Sequence, residues 1–393
     1  IVRVIKGKTA ASDTDSDNVY TRAGDAFRQW TGSGALKADD TLSIYAYVQN
    51  FTIGDVDFQR SGFVATGKLA EFGSGVQPHE KTLDGPKADR LKLMTATAGQ
   101  FGQIFMLYDD AEKVADKVIA SSAQKAALID FTDDRSVRHR LFGIAEPADI
   151  GAIIQMMDSK QPVIADGHHR YETALNYCCQ SQNPAAQYRM MTFVNMRNEG
   201  LIILATHRLV ANLAEFHIDK LIVQLADSFE VAGFTFAADD EKKASKQKMF
   251  DTMKDDFGAG KSSFGIYAAD GKFYVATLKD ASAMDSVGGE FSRAAKGLDV
   301  NVLHSLIFDK HLGIGEKELA AQSNLSYIKD IGDAVDESIG KVDSGDSQVV
   351  FFMNPTKIEQ VRDIAAAGEK MPQKSTFFYP KVFTGLVINK LYS

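Results

Sequence analysis

The chain has 393 residues, of which 45% are hydrophobic and 24% are charged, and its formal net charge at pH 7 is -8. This composition excludes a disordered chain and a small disulfide-dependent fold, and the length allows one large core or two modest ones. The negative charge argues against a polyanionic partner such as nucleic acid.

Hydrophobic spacing predicts alternating helices and strands in the first half of the chain. Helical spacing predicts an amphipathic helix over 18–36, and alternation on both sides of a Gly-Asp-Val-Asp turn predicts a β-hairpin over 42–69. Two apolar runs, 189–195 and 201–206, flank a polar turn and predict another hairpin. Further helices are predicted over 89–97, 111–125, 147–160 and 170–179, and strands over 103–107, 126–130, 138–144 and 162–165.

The texture of the sequence changes beyond Leu209, where we place a domain boundary. A hairpin is predicted over 263–278, around Ala-Asp-Gly, and a strand over 349–353. Helices are predicted over 213–229, 239–254, 300–308 and 355–366. The predicted fold is α+β (mixed α/β), with a mixed-sheet portion over 1–209 and a further α/β portion over 210–393.

Cys178 and Cys179 are adjacent and are the two cysteines of the chain. Neighbouring helix residues point about 100° apart, so the pair predicts neither a mutual disulfide nor half of a zinc site. We interpret both as reduced residues of a cytoplasmic protein. No apolar run approaches the roughly 18 to 20 residues that span a bilayer, so no membrane partner is expected.

The segment Asp166-Gly167-His168-His169-Arg170 lies at a predicted strand-to-helix junction. The free N–H groups and the positive dipole end of a helix start attract anions. Gly167 permits a close backbone approach, and Arg170 supplies a planar donor fork that suits phosphate. We predict that these five residues bind phosphate and that the two histidines also take part in catalysis. In the alternative interpretation Asp166 only caps the helix and the histidines pack or face water.

A second cluster places His79, Glu80 and Lys81 on predicted loop backbone, with Lys87 and Arg90 shortly after. Glu80, with His79 beside it, is the candidate general base, because a carboxylate next to a hydroxyl nucleophile can accept its proton. The three cationic side chains are candidate phosphate-binding groups. The alternative is a solvated charged loop.

Two smaller clusters are Thr-His-Arg at 206–208 and Lys374-Ser375-Thr376. Either could add donors to a phosphate site, and we count the second among the candidate phosphate-binding residues; the alternative for both is a solvated loop. No Gly-x-x-x-x-Gly-Lys or Gly-x-Gly-x-x-Gly opens a helix, which argues against a P-loop NTPase and a Rossmann dehydrogenase.

A metal site needs separate consideration, because His168 and Glu172 are four residues apart and could share a helix face. Neither His-Glu-x-x-His nor a cysteine-rich ligand spacing is present. We therefore predict no dedicated metal site and expect magnesium only as an ion carried in with ATP or ADP, since such an ion needs one or two protein oxygens.

Several motifs in this order make a resemblance recognisable. The chain resembles the bacterial domain-of-unknown-function family 1015 over essentially its whole length. Members of that family usually have a further N-terminal segment, so we expect one to precede Ile1. The motifs that carry the resemblance are His79-Glu80-Lys81-Thr82, Gly85 to Arg90, Asp166 to Ala174, Asn354-Pro355-Thr356 and Met371 to Lys381.

The 166–170 turn is also similar to the phosphate-binding Gly-x-x-Arg turn of the ParB and sulfiredoxin superfamily, with Gly167 and Arg170 at the matching positions. That resemblance implies a ParB/sulfiredoxin-like core and binding of nucleotide phosphates. Some members phosphorylate free serine with a glutamate base, for which Glu80 is the candidate here. Sulfiredoxin needs a cysteine inside the turn, and a histidine in its place argues against that chemistry.

These observations favour a nucleotide-dependent phosphotransferase that acts on a small hydroxylated metabolite, for example an amino acid such as serine. One alternative is a protein that binds a nucleotide or metabolite without turnover. A second alternative is a ParB-like nuclease, which the net charge and the lack of a basic run with interleaved aromatics disfavour. The expected partners are a nucleotide and a small-molecule substrate.

Overall fold

The computed structural model of the protein describes residues 1–72, 75–78, 85–288, 292–321 and 323–391. The chain forms two compact units, the first from Ile1–Ile202 with Phe378–Ser393 and the second from Ile203–Phe377. The boundary expected near Leu209 falls inside the second unit. The end of the predicted 210–393 portion belongs instead to the first unit.

Helices and strands alternate along both units. The helices are α1 (Val2–Ile5), α2 (Val19–Gly32), α3 (Gly85–Thr97), α4 (Val114–Ser122), α5 (Pro147–Met157), α6 (His168–Gln180), α7 (Ile218–Leu225), α8 (Asp239–Gly258), α9 (Arg293–Lys296), α10 (Asp299–Leu303), α11 (Glu316–Ala321), α12 (Ala334–Asp343) and α13 (Ile358–Ala366). A π-helix covers His304–Leu312, and short 3-10 turns cover Pro184–Gln187 and Ala281–Ser286.

The strands are β1 (Ile44–Ile53), β2 (Val56–Lys68), β3 (Gln77–Pro78), β4 (Gly99–Gln100), β5 (Ile104–Tyr108), β6 (Ile129–Thr132), β7 (Arg138–Ile144), β8 (Val163–Asp166), β9 (Tyr188–Asn195), β10 (Ile202–Leu204), β11 (Thr206–Val210), β12 (Phe229–Thr235), β13 (Ser263–Tyr267), β14 (Lys272–Leu278), β15 (Leu325–Lys329), β16 (Val349–Met353), β17 (Phe377–Tyr379) and β18 (Asn389–Lys390).

The first unit is built on an eight-stranded sheet in the order β3-β8-β5-β9-β2-β1-β7-β6. β1 pairs antiparallel with β2 and β7, whereas β5 pairs parallel with β9, so the sheet is mixed and the predicted α+β class is confirmed. One face packs against α4, α5 and α6 through an apolar core. This core includes Ile104, Met106 and Phe193 from the sheet and Ile119, Ile153 and Tyr171 from the helices.

The opposite face of this sheet is covered by the end of the chain, residues 378–391, which we call the C-terminal clasp. Side chains alternate between faces along a strand, so Tyr47 points away from the core that its neighbours Ala46 and Val48 enter. Clasp residues Val382, Leu386 and Val387 pack with Tyr47, Val64, Leu141 and Met190. The clasp therefore completes the first unit although it is distant in sequence.

Buried polar groups also hold the clasp. Arg60 is 1% exposed and donates from Nη1 to Tyr379 O over 3.4 Å and from Nη2 to Pro380 O. Its Nε donates to Gln49 Oε1 over 3.0 Å, and Gln49 Nε2 donates to Lys381 O over 3.1 Å. Strand β18 then pairs with β4. The Arg60 guanidinium thus gives the carbonyls of Tyr379 and Pro380 a buried hydrogen-bond donor.

The second unit contains a six-stranded sheet in the order β12-β14-β13-β16-β11-β15, in which all neighbouring strands are antiparallel. Helices α8 and α12 pack on one face of it. Their contacts include Met249, Met253, Ile339 and Val342 from the helices and Leu209, Val350 and Phe352 from the sheet. This unit therefore has a core of its own.

Two predicted elements are wrong. The hairpin over 189–206 does not form, because β9 pairs with β2 and β5. The helix over 213–229 is only α7, Ile218–Leu225, because Phe229–Thr235 is drawn into the sheet by β14. Both errors follow from pairing between distant segments, which local spacing does not contain. The predicted helix over 300–308 is present, as α10 followed by the π-helix.

Among the described residues, no helix is both long and apolar enough to cross a membrane.

Candidate functional site

The turn between β8 and α6 positions the predicted phosphate-binding residues. Gly167 is the N-cap residue of α6, with φ 103°, and as a glycine it has no side chain that could cap the helix. Asp166 does not cap α6, so the interpretation of this residue as a simple helix cap is wrong. His168 is buried and His169 is half-buried in the first turn of the helix. The backbone N–H groups at such a helix start are the donors that an anion site uses.

Asp166 is held between two cations. Its Oδ2 lies 2.7 Å from Arg170 Nη2, and its Oδ1 lies 2.7 Å from Lys381 Nζ of the clasp. Burial raises the pKa of Asp166, but Lys381 and Arg170 outweigh that effect and lower the pKa to about 2. The carboxylate is therefore ionised at neutral pH and orients both cations.

Arg170 also donates from Nη1 to the carbonyl of Gln103, just before β5. The space at Gly167 is needed for this arrangement, because a Cβ atom there would lie 2.8 Å from Arg170 Nη2. The glycine thus serves two purposes, the left-handed backbone and room for the guanidinium.

A second guanidinium, that of Arg189 on β9, lies within electrostatic reach of Arg170. Arg189 is 6% exposed and donates from Nη2 to Gly102 O over 2.6 Å. Its Nε and Nη1 atoms have no hydrogen-bond partner among the described residues. Burial and then the like charge of Arg170 lower the pKa of Arg189 to about 9, so it stays charged at neutral pH.

Arg189 was missed by the sequence analysis because it belongs to no motif. The one available signal is an arginine within the apolar strand run 188–195, since arginine is rarely buried without a partner. Among the described residues, it adds a third cation to Arg170 and Lys381, which both pair with or act on the carboxylate of Asp166. The local excess of positive charge fits an anionic ligand.

The second predicted cluster, between residues 79 and 90, lies only partly within the described residues. His79, Glu80 and Lys81 lie outside the described residues, so their roles stay predictions. Lys87 forms an ion pair with Glu172 of α6, which ties α3 to α6. Burial is the main cause that lowers the pKa of Arg170, and the charge of Arg90, on α3, lowers it further. Arg90 therefore lies within electrostatic reach of the turn.

The two smaller clusters both lie in the second unit, and the structure joins them there. Arg208 Nη2 donates to Lys374 O over 3.0 Å. The buried Ser375 hydroxyl donates to Pro372 O over 2.7 Å, and Thr356 Oγ1 donates to Ser375 O over 2.7 Å. Lys374 is exposed, with φ 60°, and Thr376 is half-buried. These contacts define the loop 372–376, whose phosphate-binding role stays a prediction.

Within the described ranges, no group of three or more His, Cys, Asp or Glu side chains could hold a metal ion. His168 and Glu172 do share α6, but Glu172 is paired with Lys87.

Comparisons with known proteins give one family and several distant structures. A family model described as "Protein of unknown function (DUF1015)" matches residues 1–301. A conserved hypothetical protein from Pyrococcus furiosus is 12% identical, with a TM-score of 0.39 over 84% of this chain and 95% of that chain. Free serine kinase structures with AMP and with ADP are each 11% identical, with TM-scores of 0.38 over 80% of this chain and 86% of theirs. Curated proteins give no match.

Proposed function

This chain belongs to the DUF1015 family, and from that premise we propose that it is a nucleotide-dependent phosphotransferase acting on a small hydroxylated metabolite, for example an amino acid such as serine. The observation that carries the proposal is the start of α6, with Gly167 in the left-handed conformation and two neighbouring guanidiniums. Amides, helix dipole and guanidiniums together match a phosphate better than a neutral ligand.

The described residues have binding and electrostatic roles in this proposal. The α6 amides and Arg170 hold the nucleotide phosphates, and Arg189 adds charge that offsets the negative charge of the transferring group. Asp166 and Lys381 fix the direction of Arg170 through the two ion pairs. Positioning within a few tenths of an ångström matters, because phosphoryl transfer gains most of its rate from orientation and electrostatics.

A magnesium ion would enter with the nucleotide and help to neutralise its phosphates. Both oxygens of Asp166 are already bonded to cations, so Asp166 serves as an orienting group and not as a metal ligand.

The chemical step requires a base for the acceptor hydroxyl, and we assign it to Glu80 on the sequence pattern. The acceptor oxygen bonds to the γ-phosphorus, the bond to the bridging oxygen breaks, and the nucleoside diphosphate leaves. The hydroxyl proton passes to the glutamate. His79, His168 and His169 are assigned to the same site as supporting donors.

Substitution of the turn arginine tests the binding site. We expect Arg170→Gln to raise the dissociation constant for ATP about 10- to 100-fold, the loss expected when charged hydrogen bonds are removed. Isothermal titration calorimetry on the full chain measures this directly. The matched control is Arg138→Gln, an exposed arginine paired with Asp130 in the same unit, which should bind ATP like the parent protein.

Equal ATP affinity of Arg170→Gln and the parent protein, with both folded by circular dichroism, would contradict the assignment. Turnover is tested separately with ATP, magnesium and a panel of amino acids. Glu80→Gln should bind ATP and form no product. Saturable binding without any product in the parent protein would favour the non-catalytic alternative, to which the described binding residues apply equally.

A further inference from the structure

Arg208 is a buried cation in the middle of β11, between β15 and β16. It is 1% exposed, and its backbone partners are Tyr327 on β15 and Phe351 on β16. The guanidinium donates to Thr206 O and to Lys374 O, and its Nε has no hydrogen-bond partner among the described residues. No carboxylate pairs with it in the described part of the chain.

This burial is unfavourable as it stands. Moving a guanidinium out of water costs several kcal/mol unless a counter-charge and hydrogen bonds compensate it. Burial lowers the pKa of Arg208 to about 10, so the group is still charged at neutral pH. The Tyr327 ring, whose centre lies 5.7 Å from Arg208 Cζ, offers only partial compensation. A bound anion would supply the missing counter-charge.

A second unpartnered donor lies within electrostatic reach of Arg208. His304 is the first residue of the π-helix, and its buried Nε2 has no partner among the described residues. Burial and then the charge of Arg208 lower the pKa of His304 to about 3, so its ring is neutral at pH 7. The ring stacks on Phe308, which in turn packs edge-on against Phe351 at 5.1 Å. Long π-helical turns are rare and concentrate at functional sites.

We propose that the second unit binds a small monocarboxylate at Arg208, with His304 Nε2 as a second donor and the loop 372–376 at the rim of the site. The single guanidinium balances a single negative charge, whereas a phosphate dianion would bring one negative charge more than the guanidinium can balance. The planar guanidinium edge also matches the two oxygens of a carboxylate. The exposed Lys374, whose carbonyl binds Arg208, gives the loop a solvent-facing side.

This site is separate in the sequence and in the fold unit from the 166–170 turn, and it does not rest on the proposed phosphotransferase function. The site also assigns one function to the clusters at 206–208 and 374–376. Arg208 and Lys374 are 166 residues apart in the sequence.

The probe is sodium acetate, compared with sodium chloride at equal ionic strength, on the full chain. Acetate should raise the melting temperature of the parent protein saturably, because a ligand that binds only the native state stabilises it by mass action. In Arg208→Met the apparent dissociation constant should rise at least about tenfold. Arg170→Gln is the matched control and should keep the full acetate effect, which separates this site from the turn.

A second measurement does not depend on the stability of the variant. In the parent protein labelled with ¹⁵N-arginine, the Arg208 Nε–H resonance should shift saturably with acetate and not with chloride. Its assignment comes from Arg208→Met, or from Arg208→Lys if the methionine variant does not fold. The proposal is overturned if acetate leaves this resonance unmoved, if Arg208→Met keeps the acetate effect, or if inorganic phosphate saturates the site and acetate does not.

Discussion

Gly167 carries two requirements that no other residue type meets. Its φ of 103° is outside the range that L-amino acids adopt readily, and a Cβ atom would lie 2.8 to 3.1 Å from the Arg170 guanidinium. The contact is with the side chain that the turn must orient. Any substitution at this position therefore changes backbone strain and the position of the arginine together.

We expect Gly167→Ala to lower the free energy of unfolding by about 1–3 kcal/mol, the usual cost of one residue in a forbidden backbone region. ATP affinity should fall as well, because Arg170 is displaced. Chemical denaturation and calorimetry measure the two effects. The control is Gly151→Ala in α5, where a Cβ atom meets nothing within 4 Å and the change should be neutral or stabilising. Equal behaviour of the two variants would contradict the argument.

Asp166 links this turn to the last segment of the chain. One oxygen bonds Arg170 within the turn, and the other bonds Lys381 of the C-terminal clasp. Because both cations lower its pKa, protonation of Asp166 requires acid conditions far below neutral pH. The geometry of the candidate phosphate site and the docking of the clasp are therefore coupled through one carboxylate.

The clasp depends on a buried chain of three polar side chains. Tyr47 OH lies 2.7 Å from His139 Nδ1, and His139 Nε2 lies 3.1 Å from Asp133 Oδ2. The backbone N–H of Phe383, in the clasp, donates to Tyr47 OH over 3.3 Å. His139 is 1% exposed and is stacked on aromatic rings, so its charged form is poorly solvated.

This arrangement predicts a pH-dependent stability. Burial lowers the pKa of His139 below its ordinary 6.5, although Asp133 acts in the opposite direction. Below pH 6.5 the unfolded chain then binds a proton that the folded protein resists, so the free energy of unfolding should decrease as the pH falls from 6.5 toward the pKa of the folded state. Chemical denaturation of the parent protein and of His139→Gln, at several pH values between about 8 and 5, measures the difference in their free energies of unfolding.

The variant should lose the contribution of His139 to the decrease below pH 6.5, while the contribution of His304 remains. Parallel curves for the two proteins would show that His139 is not the responsible group. Tyr47→Phe provides a check on the hydrogen bonds and should cost about 1–3 kcal/mol at all pH values, because it leaves buried polar groups unpaired.

The two units differ in how the chain builds them. The second unit is one continuous segment, Ile203–Phe377, with an antiparallel sheet and its own apolar core. The first unit needs two separate segments, because the clasp supplies Val382, Leu386 and Val387 to one face of its sheet. Continuity of the chain within a unit decides whether that unit can be excised.

We expect residues 203–377 to fold alone, with a cooperative thermal transition by circular dichroism. Residues 1–202 alone should show no such transition, since Arg60 and the apolar face beneath the clasp would lose their partners. Joining 202 to 378 through a flexible linker should restore it. A cooperative transition of 1–202 without the clasp would contradict this account.

Much of the local structure, including the 166–170 turn, follows from short-range patterns. Alternation predicted the hairpins β1–β2 and β13–β14, and the Asp-Gly-His-His-Arg segment indicated a strand-to-helix junction, because a glycine and a donor-rich helix start act within one turn of chain. The α+β class followed from the same order of elements. Such features depend on neighbours a few residues apart, which the sequence displays directly.

Other features depend on contacts between distant segments. These are the packing of the clasp on the first unit, the nearness of Arg189 to Arg170, and the hydrogen bond of Arg208 to Lys374. The pairing of β9 depends on such contacts as well: local spacing predicted a hairpin with the segment that follows it, but β9 pairs with β2 and β5. The energies of burial and strand pairing decide these cases. They act between residues that are far apart in the sequence, so no local pattern indicates the contact. The charge balance of both proposed anion sites is set by these contacts.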